Sequence, residues 1–433
     1  MGGSLPTTRR LASSSPNDRV TDRYDGMSPN GLWQLASNAA HSLAWIGLDR
    51  VGQGLGLALP ESPEAIARPE RLNTLLRDHA PPGSAQLPAI TQARIPGTDF
   101  ESSNCHNFLL ELEFADPLDA AGQPVPQTAY VKLPGSDLTT RIFANAVGFW
   151  SLEHTFCARI AHQVPIRVPR VYAAVQRGAR FVLLLENLYE SPGTTMFLNR
   201  DMAAGTTVER ARRCLTTFAE LHAAFWGCSL AQREALFPMA FHTFLAPKRR
   251  EMTRAMNSAA IDRAQRAAPD LVTPERAEIS RLAIEKWDAL LDVWYREPLT
   301  LIHGDSHLGN CFEYPTEDGP RVGMLDFQGL QWCAGMRDVQ YFLINSLEPD
   351  LLAANEHALI EHYVEELGRF GVTLAPQTAR DQYRALSFQT WMVGVVPLGL
   401  GALTERPATL DTVLRRGAAA LDRLDVGGWL RSL

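Results

Sequence analysis

The sequence predicts an α+β chain in two lobes, a small β-rich lobe followed by a larger, mostly helical one. Three observations lead to that class. Apolar and polar residues alternate in several runs between residues 108 and 185, the period of half-buried strands. Beyond Glu190 the period lengthens to that of amphipathic helices, as in 208–226 and 274–294. One island of strand-like runs, over 299–327, interrupts the helical half. At 433 residues the chain can give each lobe a core, and it contains no internal repeat or low-complexity tract.

The first 28 residues are polar, rich in Ser, Asp and Arg, and are expected to be loose. Arg9 and Arg10 among serines faintly suggest a transit peptide, but no apolar helical face accompanies them. Helices are expected at 31–46 and 63–77, closed by Pro81, Pro82 and Gly83. The most apolar stretch, 43–59, is interrupted by Asp49, Arg50 and several glycines, so it reads as a packed segment and no stable membrane insertion is expected.

Phe108, Leu110, Leu112 and Phe114 then share one strand face, with Leu109, Glu111 and Glu113 on the other. A turn-rich tip over 116–127 leads to a second strand, 128–133, which carries Lys132. One helix is expected over 141–161, ended by Pro165 and Pro169, and then a strand pair at 168–175 and 181–185. The island divides into strands at 299–302, 311–314 and 322–325, with a turn at 316–320. This divides the chain into a loose start (1–28), a small lobe with its N-terminal helices and hinge (29–188), and a helical lobe (189–433).

Composition excludes several classes. A net charge of −7, spread along the chain, gives no general attraction to nucleic acid or anionic membranes. The six cysteines form no CxxC pair, so they are expected as reduced thiols in a cytoplasmic protein.

The densest polar constellation runs from His303 through Gly304, Asp305, Ser306, His307, Leu308 and Gly309 to Asn310. Asp326 follows the last strand of the island, so two acids and an amide are delivered by neighbouring strand ends. Hard oxygen ligands of this kind suit magnesium. A carboxylate at the same place could accept a proton from a substrate hydroxyl. Two other readings stay open on these residues alone. Asp305 could cap loop amides, or His303, Asp305, His307 and Asp326 could build a zinc-dependent hydrolase, although a third ligand set with zinc spacing is missing.

The helical stretch adds one more pair. Phe149, Glu153, Phe156 and Ile160 fall on one face, and an acid within an apolar face is costly to bury without a partner. Lys132, on its strand, supplies that partner.

The string from His303 to Asn310, with Leu325, Asp326, Phe327 and Gln328, resembles the signature of the aminoglycoside phosphotransferase and choline kinase superfamily. The Asp-Phe-Gln form is closest to its ecdysteroid-kinase-like branch. The resemblance implies a two-lobed protein-kinase-like fold and a kinase using ATP and magnesium on a small-molecule alcohol. By the same resemblance Asp305 becomes the catalytic base, Asn310 and Asp326 hold magnesium, and Lys132, held by Glu153, orients the phosphates. Glu186 and Leu188 fall in the segment that resembles the adenine-binding hinge. Asp338 would brace the catalytic loop, and His222 reads as a packed core histidine. The phosphate loop departs from the usual glycine-rich form. It holds only Gly97, with Ser102, Ser103 and Asn104 left to meet phosphate and Asp99 and Glu101 opposing it.

The acceptor is the open question. Phe388, Trp391, Met392, Val393 and residues 395–400 form a strongly apolar run, either a core helix or part of the cleft wall. On the cleft reading the acceptor is a hydrophobic or neutral alcohol of steroid, polyketide, terpenoid or hydroxyacyl type. The alternatives are an aminoglycoside or other antibiotic kinase, and a catalytically silent member of the fold that binds a nucleotide or metabolite.

Overall fold

The computed structural model describes residues 31–54, 59–60, 62–97, 99–100, 104–400 and 408–433. Its N-terminal part is built on an antiparallel sheet of order β1-β3-β4-β6-β5, with β2 paired to β3. The strands are β1 (Ile90–Arg94), β2 (Asp99–Phe100), β3 (Cys105–Phe114), β4 (Thr128–Pro134), β5 (Val171–Arg177) and β6 (Arg180–Glu186). Phe108, Leu110, Val131, Leu133, Val182 and Leu184 turn to one face and pack with Ile66, Leu72 and Leu75 of the helices Pro63–Ile66 and Pro69–His79. The alternation that buries Val131 and Leu133 turns Lys132, between them, to the opposite face. There it stands across from Asn107 on β3 and Leu183 on β6.

The expected helix over 141–161 is corrected. The chain forms the helix Leu138–Val147, turns at Gly148 with φ +84°, and resumes as Phe149–Thr155 followed by a π turn, Phe156–Ile160. Glycine suits that left-handed corner, which the Arg249 guanidinium, bonded to the Val147 carbonyl, closely approaches. The break rotates the following helix so that Trp150, Leu152, Glu153 and Phe156 are all buried.

The rest is mostly helical. A three-stranded sheet, β10-β9-β7, and the pair β11-β8 interrupt the helices. Here β7 is Thr195–Met196, β8 Thr300–Ile302, β9 Cys311–Thr316, β10 Gly319–Met324 and β11 Gln331–Cys333. The expected 274–294 helix is two, Pro274–Glu285 and Trp287–Trp294, with Trp287 and Trp294 edge to face at 5.8 Å inside the core. The apolar run lies in the helix Pro376–Gly399, where Phe388, Trp391, Met392 and Val395 are core residues and the Trp391 indole donates to Ser280. The run is therefore core packing, with Val393 facing solvent. No helix among the described residues is long and apolar enough to cross a membrane.

Candidate active site

The sheet and the helical part enclose a cleft of about 470 Å³ that gathers Lys132, Glu153, Asp305, Asn310 and Asp326 on its walls, with Asn104, Glu186 and Leu188 at its edges. Lys132 Nζ donates to Glu153 Oε1 at 2.6 Å and to Asp326 Oδ1 at 3.1 Å. Lys132 and Glu153 are almost wholly buried, whereas the Asp326 side chain is 26% exposed and faces the cleft. Burial opposes the Lys132 charge, but Asp326 and Glu153 outweigh it and hold the ammonium well above its ordinary pKa. Burial also lifts Glu153, to about 7, with Lys132 pulling it down and Asp326 pushing it up.

The segment from His303 to Asn310 is anchored by Asp338, on the helix Met336–Ser346. Its carboxylate accepts from the amides of His303 at 2.7 Å and Gly304 at 2.9 Å, and meets His222 Nε2 at 3.2 Å. His222 completes a buried chain through Nδ1 to the Tyr363 hydroxyl at 2.8 Å. Burial raises Asp338, yet the His222 hydrogen bond and charge, His303 and the Gly304 amide overcome it, so the carboxyl stays below its usual range. The bracing role and the packed histidine expected of Asp338 and His222 are thus both present.

His303 ties the loop to the strand end that follows. Its Nε2 lies 2.8 Å from the Leu325 carbonyl, and its Nδ1 accepts from the Asp305 amide at 3.2 Å. Phe327 is sandwiched between His303, at 4.4 Å, and Phe156, stacked at 3.6 Å. Asp326 therefore sits between a pinned loop and a packed ring, in a left-handed conformation (φ 64°) that non-glycine residues seldom adopt.

Asp305 is the acid at the cleft floor. Its Oδ1 accepts from the Tyr341 hydroxyl at 2.9 Å and lies 3.8 Å from His307 Nε2. Asn310 Nδ2 donates to the Asp305 main-chain oxygen at 2.8 Å and to Oδ2 at 3.2 Å. Burial raises the Asp305 carboxyl, but His307, His303, the Tyr341 hydroxyl and Arg337 together hold it below the ordinary carboxylate range. The carboxyl is thus held in the ionised form that a proton acceptor would need.

Asn310 and Asp326 fit a magnesium ion. The amide nitrogen of Asn310 is committed to Asp305, which leaves its carbonyl oxygen, and Asp326 adds a cleft-facing carboxylate. Magnesium takes few protein oxygens and shares the rest with phosphate and water. Zinc needs three or four nitrogen, sulfur or carboxylate ligands. Among the described residues no group of three His, Cys, Asp or Glu could hold a metal, which leaves the hydrolase reading without a site.

The remaining expected residues divide. Asn104 lines the cleft and donates across it to Gln328 Oε1 at 2.6 Å. Ser102 and Ser103 lie outside the described residues. The Glu186 carboxylate is taken up by Arg167, at 2.5 and 2.6 Å, and by the Arg170 amide, while its own amide donates to the Arg170 carbonyl at 2.8 Å. Leu188 is buried and contributes an apolar wall.

The sequence profile of the ecdysteroid kinase-like family matches residues 158–374. The chain belongs to the ecdysteroid kinase-like family. It is accordingly a small-molecule phosphotransferase. No curated protein matches it. Similar solved structures include an ethanolamine kinase from Plasmodium vivax, at 11% identity over 79% of this chain and 84% of that one, TM-score 0.44. Another is the GDP complex of wild-type aminoglycoside 2′-phosphotransferase-IIIa, at 14% identity over 81% and 99%, TM-score 0.46. A third is an aminoglycoside phosphotransferase from Streptomyces rimosus in complex with ADP and streptomycin, at 18% identity over 73% and 96%, TM-score 0.35.

In this ecdysteroid kinase-like chain, reasoning from sequence missed Tyr341, the His303 tie and Gln328. A signal for Tyr341 was available, since it stands three residues after Asp338 on one helix and so shares its face. Gln328 carried none, because its partner Asn104 is 224 residues away.

Proposed function

We propose that the chain transfers the γ-phosphate of ATP, with magnesium, to the hydroxyl of a small neutral or hydrophobic alcohol. The observation that carries this reading is the bridging of Glu153 and Asp326 by Lys132 in the cleft whose floor is Asp305 and Asn310. In this mechanism Lys132, aimed by Glu153, binds the α- and β-phosphates. Asn310 and Asp326 would hold magnesium, which would supply positive charge against that of the phosphates. The acceptor oxygen attacks the γ-phosphorus as its proton passes to Asp305, and ADP leaves. Asn104, with Ser102 and Ser103, meets the phosphates, and the main chain at Glu186 and Leu188 meets adenine.

The acceptor class rests on the family, whose name points to steroid alcohols, because the apolar run at Phe388 to Leu400 is spent on the core. The lobes divide after residue 188 in this reading. ATP as donor and six free thiols support a cytoplasmic setting.

The test is ADP release from magnesium and ATP over a panel of steroid, terpenoid, polyketide and aminoglycoside alcohols, with Asp305→Ala as control. Acceptor-dependent release that disappears in the variant is expected. Equal release by the variant would remove Asp305 as the base. ATP binding with no release by either protein would favour the silent member of the fold.

A further inference from the structure

The carboxylate read as the base is held by a hydroxyl that belongs to neither the loop nor the cleft wall. Tyr341 lies on the helix Met336–Ser346, is only 4% exposed, and is absent from the cleft lining that includes Asp305. Its hydroxyl donates to Asp305 Oδ1 at 2.9 Å. The Arg337 guanidinium, one turn earlier, covers its ring at 4.5 Å and is itself fixed by Nε donation to Gln389 Oε1 at 2.5 Å. The same helix supplies Asp338, which grips the main chain on the N-terminal side of Asp305. One rigid turn thus holds both the backbone and the side chain of this residue.

The two carboxylate oxygens therefore differ. Oδ1 is occupied from behind by Tyr341, with His307 at 3.8 Å. Among the described residues Oδ2 meets only the longer Asn310 contact, at 3.2 Å, from a residue that lines the cleft. We propose that Tyr341 is a positioning residue that locks Oδ1 and so presents Oδ2 to the acceptor hydroxyl. This deepens the phosphotransferase reading and rests on it. A carboxylate free to rotate about its Cβ–Cγ bond would spend much of its time misaligned, and fixing it in the attack geometry raises the rate without altering substrate binding. Phenylalanine fits the same space but cannot donate, so Tyr341→Phe isolates the hydroxyl.

The experiment measures ADP release by wild type, Tyr341→Phe, Asp305→Asn and the double variant, using whichever panel alcohol wild type turns over fastest, or water if none. Tyr341→Phe is expected to lower kcat about tenfold with KM for ATP unchanged. Added to Asp305→Asn it should cost nothing further, because the hydroxyl acts only through that carboxylate. A kcat within twofold of wild type, a KM for ATP that rises in step, or a full additional loss in the double variant would overturn the proposal. Carbon NMR of protein labelled at tyrosine Cζ supplies a readout that needs no turnover. The Tyr341 resonance, assigned by its loss in Tyr341→Phe, should move in Asp305→Ala, and a stationary resonance would overturn the proposal. If Asp305→Asn retains full activity while that resonance moves, the contact stands and the base assignment has failed instead.

Discussion

Lys132 Nζ lies 2.6 Å from Glu153 Oε1, and both side chains are withdrawn from solvent. A buried ion pair stabilises little by itself, but removing one partner leaves the other charge uncompensated. Glu153→Ala would leave Lys132 with Asp326 as its remaining partner, so stability should fall by less than the ~3 kcal/mol of a fully broken buried pair, read by urea unfolding. Lys132 would then be held by Asp326 alone, and the affinity for ATP, followed by calorimetry, should fall about tenfold or more.

Gly304 and Gly329 carry the crossing of the catalytic loop over the segment after Asp326. Gly304 adopts φ +81°, and a Cβ there would overlap the Gly329 carbonyl oxygen. Gly304→Ala should cost more than about 2 kcal/mol of stability and most of the activity, because the loop cannot shift without moving Asp305. Thermal melting and ADP release check the two parts.

His242 gives the protein a calculable sensitivity to acid. It is fully buried, with Nε2 2.8 Å from the Trp332 carbonyl and Nδ1 accepting from the Leu245 amide at 3.1 Å. Nε2 then carries the hydrogen, and protonating Nδ1 would break the second bond. Burial lowers its pKa to about 4, against the bond to Trp332 that raises it. Unfolded, an ordinary histidine titrates near 6.5. Between those values the unfolded chain binds the extra proton. The contribution is therefore complete above pH ~6.5 and is lost as pH falls toward ~4, to a limit of roughly 3 kcal/mol. Urea unfolding at pH 7 and pH 5 should show the difference, and His242→Gln should reduce it.

Asn104 and Gln328 join the residue before β3 to the segment after Asp326 across the cleft, at 2.6 Å. Asn104→Ala should raise KM for ATP several-fold while leaving the melting temperature nearly unchanged, since the contact is only partly buried. Steady-state kinetics over ATP concentration and a thermal melt read both parts.

How much of this was legible in the sequence follows from what each residue answers to. Lys132 and Glu153 were legible because each breaks an apolar pattern, one in a strand and one in a helix, and each needed a partner. Asp305, Asn310 and Asp326 were legible as a spaced string at strand ends. Strand β1 was not, since Thr91, Gln92 and Arg94 give it little apolar alternation and it is held mainly by pairing with β3. Nor was the corner at Gly148, because a single glycine in a helical pattern is ordinarily tolerated, and the left-handed φ that requires it shows only in the fold. The run from Phe388 reads first as a core helix, with the cleft wall as the alternative, and its neighbours decide for the core. Tyr341 depended on a turn of helix facing a loop 36 residues earlier.

The central claim is that the terminal phosphate of ATP moves to an alcohol with Asp305 as the base. Phosphorus NMR of wild type and Asp305→Asn with ATP, magnesium and the preferred alcohol tests it most directly. The wild type should lose the γ-phosphate signal as a phosphomonoester signal of the alcohol grows, and the variant should show neither change. A phosphomonoester formed equally fast by the variant, or inorganic phosphate as the sole product of the wild type with every alcohol, would contradict it.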